Sequence, residues 1–282
     1  MSLGPHISLI GIDGAGKTSI AFALAASMTR KGYEAEVVSW RSVMRAPDSL
    51  SGTILGHHAM TSTKLQLCRA TSDRAIDLPA LLSDGRLESF FRVTEPILRE
   101  IQVRRNEAFP FVSSALLELS GSIYLHHAYI SERRLAGRMV IEESCGFKHV
   151  LKNVLMTQRL AGKESSLHRA AAVVLETAQL LFGTLLPPTH GYWIDTDPVL
   201  ASTWRTNNGE PTTNFEDYGL LGTDQGVSFL AMQEDCRRAF ARAAEAWRWR
   251  RMEMPDRPKG VNIQAAVDAI EDDVMASGSS GT

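Results

Sequence analysis

The chain has little cysteine: three residues in 282, namely Cys68, Cys145 and Cys236. They are scattered, show no metal-ligand spacing and cannot all pair, so buried or idle thiols are expected and a disulfide framework is not. No apolar run approaches about 18 residues, the length that would suggest a membrane-spanning helix. No basic-then-apolar leader precedes the first strand, which leads us to expect a cytoplasmic protein. A dominant charge is missing too. The formal net charge of −2 provides no electrostatic case for nucleic acid or for an anionic membrane. We find no internal repeat, and the only biased stretch is the small polar tail Ser277–Thr282, read as a flexible end. The pairs His57-His58 and His126-His127 invite a metal reading. Adjacent residues diverge on a helix, however, and no carboxylate joins them at i+4, so structural or solvated histidines are expected. What is left is ordinary: 44% hydrophobic and 22% charged residues, enough chain for one large or two small domains with a real core.

Against this plain background one stretch stands out. Gly11-Ile12-Asp13-Gly14-Ala15-Gly16-Lys17-Thr18 fits the pattern G-x-x-x-x-G-K-[ST]. Average residue usage would place such a match in roughly one chain of this length in a hundred. Its flanks make chance less plausible still. Ile7-Ser8-Leu9-Ile10 reads as a buried parallel strand, and Ile20, Leu24 and Met28 fall on one face of a following helix. In a strand–turn–helix of this kind, backbone N–H groups cradle a polyphosphate at the helix N-terminus. Gly14 and Gly16 allow the close approach, Lys17 reaches the β/γ-phosphates and Thr18 offers a hydroxyl to Mg²⁺. The segment Asp13, Gly14, Ala15, Gly16, Lys17, Thr18 and Ser19 is therefore the candidate ATP-binding loop, with Lys17 as a candidate catalytic residue.

The rest of the chain alternates strands and helices. A second strand is expected over Glu34–Trp40, with Arg41 at its carboxyl end, where open parallel sheets bind ligands and where a solvated loop arginine is an equal reading. From 42 to 134 no strong strand shows, and helices are expected over Leu65–Leu82, Leu87–Val103 and around Leu116, Leu119, Ile123 and Ile130. The third strand is Arg138–Ile141, ending in Glu142-Glu143. A carboxylate at such a strand end can hold Mg²⁺ or orient the acceptor, and we assign that role to Glu142. Two acidic residues could equally open the next helix, where its dipole favours them. Helices at Gly146–Leu160 and Leu167–Leu181 lead to a fourth strand, Gly191–Ile194. Asp197-Pro198 suits a helix start, and that short helix carries Arg205. The polar, glycine-containing stretch 206–226 has the composition of a lid. Phe229, Met232, Cys236, Phe240, Ala243 and Trp247 form a core-facing helical stripe. A fifth strand at Arg250–Met254 and a last helix over Ile263–Val274, capped by Asn262, complete the pattern. The fold class expected is α/β: a three-layer P-loop fold, a parallel sheet of about five strands flanked by helices. We expect one domain over 1–276, with 42–134 as a helical acceptor-side insertion and 277–282 as tail.

Several of these stretches resemble the thymidylate kinases. The turn Gly11–Thr18 looks like theirs, including its acidic residue. Leu135 to Ser144 is similar to their helix end and third strand, with Glu142-Glu143-Ser144 where the family has Asp-Arg-Tyr. Tyr192-Trp193-Ile194-Asp195-Thr196-Asp197-Pro198 is similar to their fourth strand and Asp-x-Asp-Pro turn before an arginine-bearing lid. Val261–Ile270 resembles their last helix entry. The resemblance covers 6–41 and 115–275 in matching order. It implies an ATP- and Mg²⁺-dependent kinase acting on a nucleoside monophosphate or related small-molecule acceptor, and a homodimer. Asp13 would contact the acceptor's sugar, and Thr18 with Glu142 would hold the metal. Lys17 and Arg205 would stabilise the transferring phosphoryl group. Thr71-Ser72-Asp73-Arg74-Ala75 looks like the family's acceptor-binding Asp-Arg pair by distance from the turn; by distance to the third strand the match is Ser120-Gly121-Ser122. Glu143 stands where the family has an arginine, and a carboxylate there would repel a monophosphate. That makes dTMP a poor acceptor unless Arg41, Arg69 or Arg74 compensates, and it opens the way to a modified nucleotide or natural-product alcohol. The alternative class is a regulatory nucleotide-binding switch. It would carry a guanine-reading Asn/Thr-Lys-x-Asp motif, which the sequence lacks.

Overall fold

The structure is a computed structural model, and it describes residues 3–44, 50–67, 70–72, 101–103, 108–210, 216–219 and 224–278. The apolar runs expected as strands pair into one parallel sheet. Its strands are β1 (His6–Gly11), β2 (Ala35–Val38), β5 (Met139–Glu142), β6 (His190–Thr196) and β7 (Arg250–Met254). Their spatial order is β2-β5-β1-β6-β7, with every neighbouring pair parallel. β1 therefore lies at the centre, and all six of its residues are buried. That explains why it reads as an apolar run rather than an alternating one: a central parallel strand is covered on both faces.

Parallel neighbours need crossovers, and helices supply them. α1 (Lys17–Arg30) follows the glycine turn, and α2 (Trp40–Met44) follows β2. Then come α3 (Leu50–Leu67), α4 (Phe109–Leu125) and α5 (Ser131–Leu135). After β5 run α6 (Phe147–Leu160) and α7 (Ser166–Leu180); after β6 run α8 (Pro198–Asn207) and α9 (Gln225–Trp247). α10 (Lys259–Gly278) follows β7. α1 packs on α10 and on β1, β2 and β5, while α4, α6 and α7 pack on one another and α9 packs on α6 and reaches β1 and β6. Among the described residues no helix is long and apolar enough to cross a membrane.

The expected strands and most helices are present, with local corrections. A short antiparallel ribbon, β3 (Ala70–Ser72) with β4 (Ile101–Val103), replaces parts of the helices expected over Leu65–Leu82 and Leu87–Val103. The remainder of those two helices, beyond Leu67, lies outside the described residues, as do Arg69, Asp73 and Arg74. The last helix starts at Lys259, so Asn262 sits inside it rather than capping it; its Nδ2 donates to the Pro255 carbonyl at 2.8 Å instead. That helix also extends through Ser277 and Gly278, which were expected in the tail. Asp197 does cap α8, accepting from Val199 N at 2.8 Å and Leu200 N at 3.3 Å.

Ser120-Gly121-Ser122 has a packing reason. A Cβ on Gly121 would stand 2.0 Å from Trp40 Cη2, so the missing side chain is what lets the indole lie on α4. Among the described residues the largest aromatic cluster centres on Phe147 at the start of α6. Its ring makes edge contacts with Phe182, Phe240 and Trp247 at centroid distances of 5.9, 6.4 and 5.0 Å. Phe147 is fully buried, so truncation would leave a cavity bounded by three rigid rings. Phe147→Ala is expected to cost about 3–5 kcal/mol, read as a lower urea midpoint with an unchanged m value; a loss below about 1 kcal/mol would show that the rings collapse into the space.

Candidate functional site

The turn between β1 and α1 takes the conformation its glycines permit. Gly14 and Gly16 have φ of 80° and 88°, a region where L side chains are strained. Gly14 is also a point of close approach: an added Cβ would lie 2.8 Å from the Ala201 carbonyl and 2.9 Å from Arg205 Cγ. The stem of Arg205 on α8 thus rests directly on the turn. Gly16 occupies the N-cap position of α1, and no side chain caps that end. Helix geometry leaves the first N–H groups of α1 without partners inside the helix, and its dipole adds partial positive charge there. Lys17 is buried, and its Nζ donates to the carbonyls of Gly11 at 2.9 Å and Ile12 at 2.7 Å. Ala15 is buried beneath the turn, whereas Thr18 and Ser19 are exposed on the first helical turn.

Asp13 sits at the heart of a charged cluster that its sequence context does not announce. Lys148 and Lys152, one turn apart on α6, each bring an ammonium group onto a separate Asp13 oxygen. From α9, Gln233 clamps the same residue: its Nε2 donates to Asp13 Oδ2 at 3.1 Å, and its Oε1 accepts from Asp13 N at 2.9 Å. Burial alone would raise the Asp13 carboxyl, but Lys148, Lys152 and Lys17 outweigh it and hold the group well below the usual carboxylate range. The reverse balance holds at Lys17. Burial, then Lys148, pushes its ammonium well below the ordinary lysine value. Lys152 is raised, because Asp13 overcomes the effect of burial.

Arg205 closes the other side. It forms a two-pronged pair with Glu216, Nη1 to Oε1 at 3.0 Å and Nη2 to Oε2 at 2.8 Å, and the Glu216 carbonyl accepts from Gln233 Nε2 at 2.8 Å. One continuous polar lattice therefore links the glycine turn, α6, α8, α9 and the segment Glu216–Gly219. The stretch expected as a lid contributes the Glu216 carboxylate and Tyr218, whose hydroxyl donates to Asp235 at 2.5 Å. On the far side of the turn, the Lys259 stem on α10 comes within 4.0 Å of a Cβ built on Gly16.

The strand-end carboxylates need correcting. Glu143, not Glu142, reaches the turn: Thr18 Oγ1 donates to Glu143 Oε1 at 2.5 Å. Glu142 points into the interior beside β1, where its Oε2 accepts from Ser8 Oγ at 2.6 Å and lies 3.3 Å from His6 Nε2. The cause is the twofold alternation of a strand. Ser8 is registered opposite Glu142, so their side chains share a face and Glu143 takes the other. Glu143 is thus engaged with Thr18 at the entry of α1. Arg41 lies on α2, but its side chain is outside the described residues, and Arg74 is outside them altogether. Lys148, Lys152, Gln233 and Glu216 escape sequence reading because they belong to no motif. The one available signal is the i, i+4 spacing of two lysines on the helix that leaves the third strand of the sheet.

Cys145 and Cys236 are free and buried, and burial pushes the Cys236 thiol up to about 12. No protein-family model matches the chain, and no curated protein matches it.

The buried cluster around Glu142 carries its own pH dependence. His126, on a wide helical turn (His126–Ile130) after α4, has its ring centroid 5.7 Å from that of His6. Burial, reinforced by His6, lowers His126 to about 4. A histidine depressed on folding stabilises the native state fully above its unfolded value near 6.5 and loses that contribution as pH falls toward 4. Unfolding free energy should therefore drop between pH 7 and pH 4, and His126→Gln should flatten that part of the curve, as measured by urea midpoints at several pH values. An identical slope in the variant would assign the acid sensitivity to other groups.

Proposed function

We propose that the chain is an ATP-dependent phosphotransferase whose phosphate-binding loop is the turn Gly11–Thr18, acting on a nucleoside monophosphate or a related small acceptor. The observation that carries this reading is the turn itself: two left-handed glycines lead into an uncapped helix N-terminus, with Lys17 rooted beneath it and Arg205 laid across it. That is an anion cradle by its geometry and by its charge. The sequence likeness to thymidylate kinases supports a kinase over a regulatory switch.

The residues present fit a magnesium ion. Thr18 and Glu143 bring two oxygen donors together beside the cradle, and hard oxygen ligands suit Mg²⁺. When bound, the ion neutralises charge on the β- and γ-phosphate oxygens. Lys17 leaves its two carbonyl partners to meet the β/γ-phosphates, and the N–H groups of the first turn of α1 align them. Arg205, freed from Glu216, balances charge that develops on the transferring group. Such fixed donors cost little reorganisation during reaction, which is why they dominate phosphoryl transfer. Glu142 has no place in these steps, since it faces the interior.

Lys17→Ala should lower turnover by two or more orders of magnitude, about 3 kcal/mol of transition-state stabilisation, with the fold intact by circular dichroism. Glu143→Gln should raise the Mg²⁺ concentration needed for half-maximal rate, whereas Glu142→Gln should leave that requirement unchanged. The assay is ADP release across nucleosides, nucleoside monophosphates and sugar or antibiotic alcohols. ADP release that no acceptor accelerates would favour a switch-like NTPase, and full activity in folded Lys17→Ala would end the assignment.

A further inference from the structure

Resting on the kinase reading above, we infer that Lys148 and Lys152 form the anion-holding site for the acceptor, which carries a phosphate or a comparable dianion, and that Asp13 occupies this site as a tethered stand-in. The geometry sets two ammonium groups from one helix face on the two oxygens of a single carboxylate. A phosphate presents the same kind of target, with one oxygen more and a second charge. Both lysine side chains are nearly buried, at 11% and 13% exposure. Long cations are seldom withdrawn from water to that extent without a paired anion.

Position argues for the acceptor rather than the nucleotide. The lysines meet the turn at Asp13, before Gly14, while the opposite end at Gly16 faces Lys259 and Ile263 of α10. On α6 the stripe next to the lysines runs into a polar seam with α3 and α4: Asn153 Oδ1 accepts from Gln66 Nε2 at 2.9 Å, and Gln66 Nε2 also donates to Ser114 at 2.8 Å. Beyond it Ser62 Oγ donates to Glu118 at 2.7 Å, a carboxyl that burial raises to about 7.

The test titrates inorganic phosphate into the full chain by calorimetry, with and without Mg²⁺ and a saturating non-hydrolysable ATP analogue. With the analogue in place, phosphate should still bind. The double variant Lys148→Met/Lys152→Met should weaken phosphate at least about ten-fold, and by a clearly larger factor than it weakens the analogue, whose turn loses its tie to α6. Asp13→Asn should tighten phosphate several-fold, because the tethered competitor loses its charge. This second variant keeps the lysines and stays informative if the double variant does not fold. Phosphate affinity unchanged in the double variant, or unchanged or weakened in Asp13→Asn, would overturn the inference, as would a parallel loss of analogue affinity in the lysine variant. Failure of the analogue to bind the unmodified chain would instead overturn the kinase reading; phosphate binding that depends on the two lysines would then stand by itself.

Discussion

The ion cage around Asp13 is the contact on which the candidate site depends. Without it the glycine turn would be joined to the sheet and α1 and would only pack against α8 and α10. With it, the turn is tied to α6 through Lys148 and Lys152 and to α9 through Gln233. Buried charges of this kind are not a source of net stability: desolvation costs several kcal/mol per ion, and attraction returns that only when every partner is in place. Their value lies in specificity of position. A carboxylate that accepts from three side chains on two helices has one low-energy placement, so the backbone at residue 13 is pinned where Gly14 and Gly16 begin their left-handed path. A hydrophobic contact at the same point would have been non-directional and would have tolerated slippage.

How legible this was depends on the range of the interaction. The turn, its flanking strand and the first helix were readable because the chemistry is local: glycines where φ is positive, lysine at the helix entry, apolar runs on either side. The five strands were readable for the same reason, since a central parallel strand announces itself as a short apolar run. The cage was not, because Asp13 lies 135 residues from Lys148 and 220 from Gln233, and nothing in the spacing of such residues marks a contact made by tertiary packing. Glu142 and Glu143 lie between these cases. The sequence locates both at a strand end, but which of two adjacent residues faces the turn is a question of register. Here it is answered by Ser8 standing opposite Glu142 and offering its hydroxyl across the same face.

The helical insertion shows the same limit in another form. Its helices were expected from periodicity, yet Ala70–Ser72 and Ile101–Val103 pair as a ribbon. Three-residue strands hold too little pattern to outweigh a helical reading of the residues around them. In contrast, Gly121 illustrates a residue whose reason is entirely three-dimensional. A glycine inside a helix normally weakens it by about 1 kcal/mol, and only the indole of Trp40 lying on it explains why that cost is accepted.

On the function proposed above, the charged groups would make ligand binding an exchange of anions rather than the filling of a bare cationic hole. Lys148 and Lys152 are paired with Asp13, Arg205 with Glu216, and Lys17 rests on two carbonyl oxygens. Each cation is thus held in the site with its donors already desolvated and aimed, so an incoming phosphate does not have to strip water from four long side chains. It has to out-compete two tethered carboxylates. A monoanionic carboxylate loses that competition to a dianion on charge alone, while small monovalent anions gain little over the partners already present.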